Sequence, residues 1–125
     1  MKKIKWYITI IFIVSSFIVI SCSGLTEPGS TATTVTTPYP TSPLDNARDI
    51  SLTPTFEWNG VAEKLQISIS YDFSTVKYEF DVSGSQSHTI DSGKLTNNTL
   101  YFWRVGKTYS NQMSWSGSLK FITIP

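Results

Sequence analysis

Apolar and polar positions alternate with a period of two through most of the second half of the chain. Leu65, Ile67, Ile69 and Tyr71 alternate with Gln66, Ser68 and Ser70, and Val76, Tyr78, Phe80 and Val82 alternate with Lys77, Glu79 and Asp81. A two-residue period sends successive side chains to opposite faces, so each run predicts a strand with one apolar face. Phe56 and Trp58 share a face in a shorter run preceded by Ile50 and Leu52, Ser87–Ile90 makes another, and Leu119, Phe121 and Thr123 close the chain. The strongest run begins at a polar corner, Thr96–Thr99, after which Tyr101, Trp103 and Val105 point one way and Phe102 and Arg104 the other. A tyrosine in that place can bury its ring and return its hydroxyl to upstream backbone. Asn59-Gly60, Ser83-Gly84-Ser85 and Asp91-Ser92-Gly93 supply turns, and residues 107–117 read as a loop. No long helical period interrupts the pattern. About seven antiparallel strands result, and an all-β Greek-key sandwich is the economical way to hide their apolar faces. Some 80 residues suffice for one modest core.

The first forty residues follow other rules. Lys2, Lys3 and Lys5 precede an uncharged, mostly apolar run from Trp6 to Ile20, shorter than the roughly 20 residues that span a bilayer. Positive charge followed by a short apolar run reads as an export signal. From Ser23 to Ser42 the composition turns to Ser, Thr and Pro, too polar to offset the entropy of ordering. This stretch reads as a tether, with a first strand open only in its last few residues. The expected organisation is a signal segment 1–21, a tether 22–38 and a domain 39–125.

Charge and cysteine narrow the picture. Once the signal segment is set aside, seven basic residues face nine acidic ones, which argues against a nucleic-acid partner. Cys22 is the single cysteine, so neither an internal disulfide nor a multi-cysteine metal site can form.

Two resemblances follow from these residues. Val19-Ile20-Ser21-Cys22 resembles the lipobox of bacterial lipoproteins, which implies cleavage before Cys22, acylation of Cys22 with fatty acids such as palmitate, and a place in the cell envelope, at the outer membrane or cell surface. Several acyl chains on one residue anchor stably. Leu52–Trp58, Leu95–Val105 and Trp115-Ser116 before Phe121–Thr123 resemble a fibronectin type III domain of bacterial surface and secreted proteins. That resemblance implies an immunoglobulin-like sandwich, with Trp58 as a core tryptophan and Tyr101 as the corner tyrosine. The fold hosts many roles and names no ligand.

Candidate chemistry is sparse. His88 is the single histidine and has no partner at usable spacing for acid–base or metal work. Asp72, Glu79 and Asp81 lie in or beside the middle strands, where Glu79 and Asp81 share a solvated face with Lys77. No nucleophile elbow or phosphate loop occurs. The chain is therefore expected to be non-catalytic and to hold no cofactor or metal. Tyr109 and Trp115 lie in the expected loop before the last strand, where sandwich domains carry binding residues. Trp115 has two readings: a binding aromatic, or a ring stacked over Arg104 as in the tryptophan–serine repeat that Ser114–Ser116 resembles in cytokine-receptor members of the fold. Phe102 and Arg104 share the outer face and form a candidate contact surface. Asn97–Thr99 fits a glycosylation sequon but is expected to serve the corner unmodified. The functional expectation is a lipid-anchored binding or spacer module, monomeric, meeting protein or polysaccharide. The alternative is an accessory subunit that joins an envelope complex through an edge strand, and a carbohydrate-active enzyme ranks last.

Overall fold

The computed structural model describes residues 36–125. The lipobox at Val19–Cys22, the signal segment and most of the tether lie outside the described residues. The described part is all-β: β1 Tyr39–Ser42, β2 Ala47–Ile50, β3 Thr55–Asn59, β4 Lys64–Ser68, β5 Val76–Asp81, β6 Ser87–Thr89, β7 Leu100–Tyr109, β8 Gln112–Trp115 and β9 Leu119–Thr123. A three-stranded sheet, β1-β3-β6, faces a larger one ordered β2-β9-β7-β4-β5, on which β8 pairs with β7.

The two-residue period explains the layering. Phe56 and Trp58 of β3 point inward against Leu65 and Ile67 of β4, Tyr101, Trp103 and Val105 of β7 and Phe121 of β9, all essentially inaccessible. Phe56 bridges the sheets: its ring meets Trp103 edge-on at 4.8 Å and Phe121 at 5.6 Å. Aromatic burial on this scale, with edge-to-face contacts, is the main apolar stabilisation available to a domain this small.

The corner forms at the start of β7. The backbone N–H of Thr96 donates to the Tyr101 hydroxyl at 3.1 Å. The corner is tied to the end of the chain by Asn98 N–H to Ile124 O, Thr99 N–H to the Thr123 hydroxyl, and Asn97 Nδ2 to Pro125 O. The sequon asparagine is therefore engaged in holding the corner.

The structure departs from expectation in three places. There are nine strands among the described residues rather than seven, and the larger sheet is mixed, because β2 runs parallel to β9. β2 is four residues long with Arg48 and Asp49 exposed, so it carries no alternation to read. It is placed by the preceding turn, where the Asp45 carboxylate accepts from Lys120 N–H at 3.0 Å and Asn46 N–H donates to Lys120 O at 2.8 Å. The expected loop 107–117 is mostly a hairpin. Ser110 and Asn111 both take positive φ, 47° and 64°, as a two-residue turn between twisted strands requires, and Tyr109 pairs with Gln112. Its polar composition concealed the strands. Finally, β4 stops at Ser68, leaving Ile69 and Tyr71 outside the core, 50% and 76% exposed. The Ser68 hydroxyl donates to Ser70 O and Thr75 O, both at 2.8 Å, and turns the chain away before the alternation can continue.

Candidate functional site

The outer face of the larger sheet is not an open polar surface. Arg104, projecting outward from β7, lies between two aromatic rings. Its guanidinium carbon is 4.0 Å from the centroid of Phe73 and 4.4 Å from that of Trp115. Below it, Nε and Nη2 donate to Gln66 Oε1 at 3.0 and 2.8 Å, and Gln66 Nε2 donates to Glu79 Oε2 at 2.7 Å. Burial between the rings lowers the Arg104 pKa below its ordinary value. A guanidinium, planar by its own delocalisation, oriented by two hydrogen bonds and flanked by two rings has little freedom left for a partner, and each stack on this partly buried group contributes about 0.5–2 kcal/mol.

Trp115 is committed to this arrangement. It lies over Gly106, where a Cβ would sit 2.5 Å from Trp115 Cε3. Ser116, next in the chain, accepts from Val105 N–H through its hydroxyl at 3.1 Å and donates its own N–H to Val105 O at 2.8 Å. The tryptophan–serine pair thus closes the kink between β8 and β9. The ring of Trp115 is stacked on Arg104, as the second of its two readings describes.

Tyr109 holds the incoming chain. Its hydroxyl donates to Thr36 O at 2.8 Å. Beside it Asn59 Nδ2 donates to the Tyr39 hydroxyl at 2.7 Å, and Pro38 is buried under Gly60, where an added Cβ would lie 3.2 Å from Pro38 Cα. Packing therefore begins within residues assigned to the tether, and Tyr109 spends its polar end on it.

Phe102 is different. Half-buried on β7, it meets the ring of Tyr71 edge-on at 6.0 Å and 80°. Together with Asp45, Ser118 and Lys120 the two rings line a half-open cleft of about 160 Å³. Tyr71 sits on the loop between β4 and β5, and that loop is laced from within. Ser70 N–H donates to the Ser68 hydroxyl, Thr75 N–H to the Ser70 hydroxyl, and Ser74 N–H to the Asp72 carboxylate, at 2.9, 2.9 and 3.0 Å. Phe73, at a φ of 57°, turns its ring inward onto Arg104. The Phe73–Arg104 stack pins the loop at one point and leaves Tyr71 displayed at another. Tyr71 and Phe73 were not singled out from the sequence. The available signal was the Ser/Asp/Thr density of residues 70–75, which offers the backbone side-chain partners in place of a sheet ladder.

The remaining titratable groups do not converge. His88 packs its ring on Phe80 at 4.5 Å. Asp72 is held below the usual carboxylate range by the hydroxyl and N–H of Ser74. Glu79 and Asp81 flank Lys64 at 3.9 and 3.8 Å on the surface. Among the described residues, no group of three His, Cys, Asp or Glu comes together in a way that could hold a metal ion.

No protein-family model, curated protein or solved structure matches this chain.

Proposed function

We propose that the chain is a non-catalytic lipoprotein of the bacterial cell envelope, anchored through Cys22, whose sandwich is a fibronectin type III-like binding module for protein or polysaccharide. The observation that carries the binding reading is the display of Tyr71. A large aromatic ring, 76% exposed, stands beside half-buried Phe102 on a loop that is internally hydrogen-bonded. An aromatic anchor carried on a backbone held by side-chain hydrogen bonds suits a contact site, because less ordering entropy of the loop remains to be lost on binding. The facing of β1-β3-β6 against a sheet built on β4, β7 and β9, the buried Trp58 and the Tyr101 corner support the fibronectin-like assignment.

One observation favours the accessory-subunit reading as a second possibility. β5, six residues long, pairs with β4 alone among the described strands, so its second backbone edge has no strand partner there and is a candidate for strand addition. Lys77, Glu79 and Asp81 are exposed along it, and such charges discourage indiscriminate pairing while allowing a complementary partner.

The test uses the full chain expressed in a bacterial host, labelled with a palmitate analogue and then immobilised in detergent against a native envelope extract. The wild type is expected to take up label and retain envelope material; Cys22→Ser loses the label, and Tyr71→Ala loses the retention. Label on Cys22→Ser would remove the anchor. Retention unchanged in Tyr71→Ala would remove the site.

A further inference from the structure

The chemistry of the Tyr71–Phe102 cleft is more specific than a generic contact patch. We infer that it is a carbohydrate subsite that takes one uncharged pyranose ring of a polysaccharide, an assignment that rests on the binding reading above and narrows it.

Four observations lead there. First, the backbone around the cleft has no free strand edge. Phe102 pairs with Ser68 on one side and with Lys120 on the other. Lys120 in turn spends its N–H on the Asp45 carboxylate and its carbonyl on Asn46 N–H. A peptide therefore cannot enter by strand addition, the mode that would give an extended chain its main-chain hydrogen bonds. Second, the polar lining is mixed in sign. Asp45 supplies a carboxylate whose two oxygens already accept from Lys120 N–H and Asn46 Nδ2 and keep further lone pairs, Lys120 an ammonium that forms no ion pair among the described residues, and Ser118 a hydroxyl that both donates and accepts. An acceptor, a donor and a dual group around one small space match the hydroxyls of a sugar, each of which donates and accepts. The opposed charges give no net preference for an acidic ligand. Third, the apolar part of the lining is aromatic. The exposed ring of Tyr71 can offer its negative face to the weakly positive C–H groups of a pyranose, and the ring of Phe102, near-perpendicular to it, adds apolar lining. Fourth, about 160 Å³ is small beside the 300–1,000 Å³ of sites that enclose whole drug-sized ligands. A half-open space of that size admits one ring and lets the chain on either side continue into solvent.

The loop supplies the rigidity that weak sugar contacts need. Phe73 is fixed on Arg104, and the Ser68, Ser70 and Asp72 side chains hold the backbone on either side of Tyr71.

The test is retention of the full chain, kept in detergent, on insoluble cellulose, chitin, β-1,3-glucan, mannan and xylan, with free oligosaccharide of the same kind as competitor. Retention on at least one of these is expected, competed by the oligosaccharide and insensitive to moderate salt. Tyr71→Ala should weaken it about tenfold, the loss of one ring stack, while Tyr71→Phe keeps it. Lys120→Ala should weaken it less, and Tyr109→Ala not at all. Because Tyr71 is exposed, Tyr71→Ala is expected to keep the wild-type melting midpoint. Retention on none of the five, or retention that Tyr71→Ala leaves intact, overturns the inference. If envelope proteins are captured through Tyr71 while every polysaccharide fails, the sugar assignment falls and the binding module stands. If nothing is captured through Tyr71, both fall.

Discussion

Tyr101 spends its polar atom on a backbone group that has no other described partner. Its ring is buried between the sheets, stacked on Phe121 at 5.7 Å, and its hydroxyl accepts from Thr96 N–H and from Lys77 Nζ at 3.1 and 3.3 Å. Burial pushes the hydroxyl pKa up, but those donors outweigh it and leave the pKa below its ordinary value, the sign of an oxygen surrounded by N–H groups. Tyr101→Phe keeps the ring and abandons Thr96 N–H at the corner. The expected loss is about 1–3 kcal/mol, seen as a lower urea midpoint at unchanged slope. An unchanged midpoint would mean that water takes over the bond. The role of Tyr101 was legible in the sequence because a polar corner followed by an alternating run specifies where that hydroxyl must go. Tyr71 was not legible. It sits in register with Leu65, Ile67 and Ile69, and only the side-chain hydrogen bonds of Ser68 and Ser70 take it out of the strand.

At the scale of elements, the hairpin and the β4–β5 loop together decide what the outer face can do. β8 lays Trp115 over Gly106, the loop lays Phe73 over the other side of Arg104, and the three form one stack across two elements that are distant in sequence. Gly106 is needed for want of a side chain. Gly106→Ala would place a methyl 2.5 Å from Trp115 Cε3 and 2.9 Å from Met113 Sδ, so the ring must move. The expected cost is about 1–3 kcal/mol of overpacking, accompanied by a change in tryptophan fluorescence as Trp115 leaves the guanidinium. Wild-type stability and fluorescence in this variant would mean that the stack yields without cost. A sequence shows that Arg104 and Trp115 are eligible to stack. It does not show that Phe73 supplies the second ring, because that contact depends on a left-handed backbone at a bulky residue, which no propensity favours. The hairpin was hidden for a related reason: Ser110-Asn111 makes its turn without glycine, the residue by which such turns are usually recognised.

Across the whole molecule, the sandwich must close along the side where β5 of one sheet approaches β6 of the other. His88 of β6 packs on Phe80 of β5, the Tyr78 hydroxyl donates to Lys94 O at 2.6 Å, and the Lys94 ammonium lies 5.5 Å from the Tyr78 ring and 5.8 Å from that of Phe80. The two-sheet architecture was readable from alternation alone, but this closure was not, since His88 stands between Ser87 and Thr89 and no apolar period marks it as part of a core. Burial lowers the His88 pKa; Asp91 opposes that shift and Lys94 adds to it. The folded state therefore binds its proton less readily than the unfolded chain, whose histidine titrates near 6.5. Between those two values the unfolded state holds more protons, so stability rises with pH. The contribution of His88 is complete above about 6.5 and is lost as pH falls through the lower, folded value. Asp72 and Asp81, held low by hydrogen bonds from Ser74 and Ser83, lose theirs only in a more acidic window, below the ordinary carboxylate value of 3.8. His88 is the single histidine, so urea midpoints between pH 8 and pH 5 should report it with little interference. The wild type is expected to lose stability on the acidic side of that range. His88→Phe, which keeps a ring against Phe80 and cannot take up the proton, should flatten the profile. An equal slope in the variant would assign the pH dependence to other groups and leave the β5–β6 closure indifferent to charge.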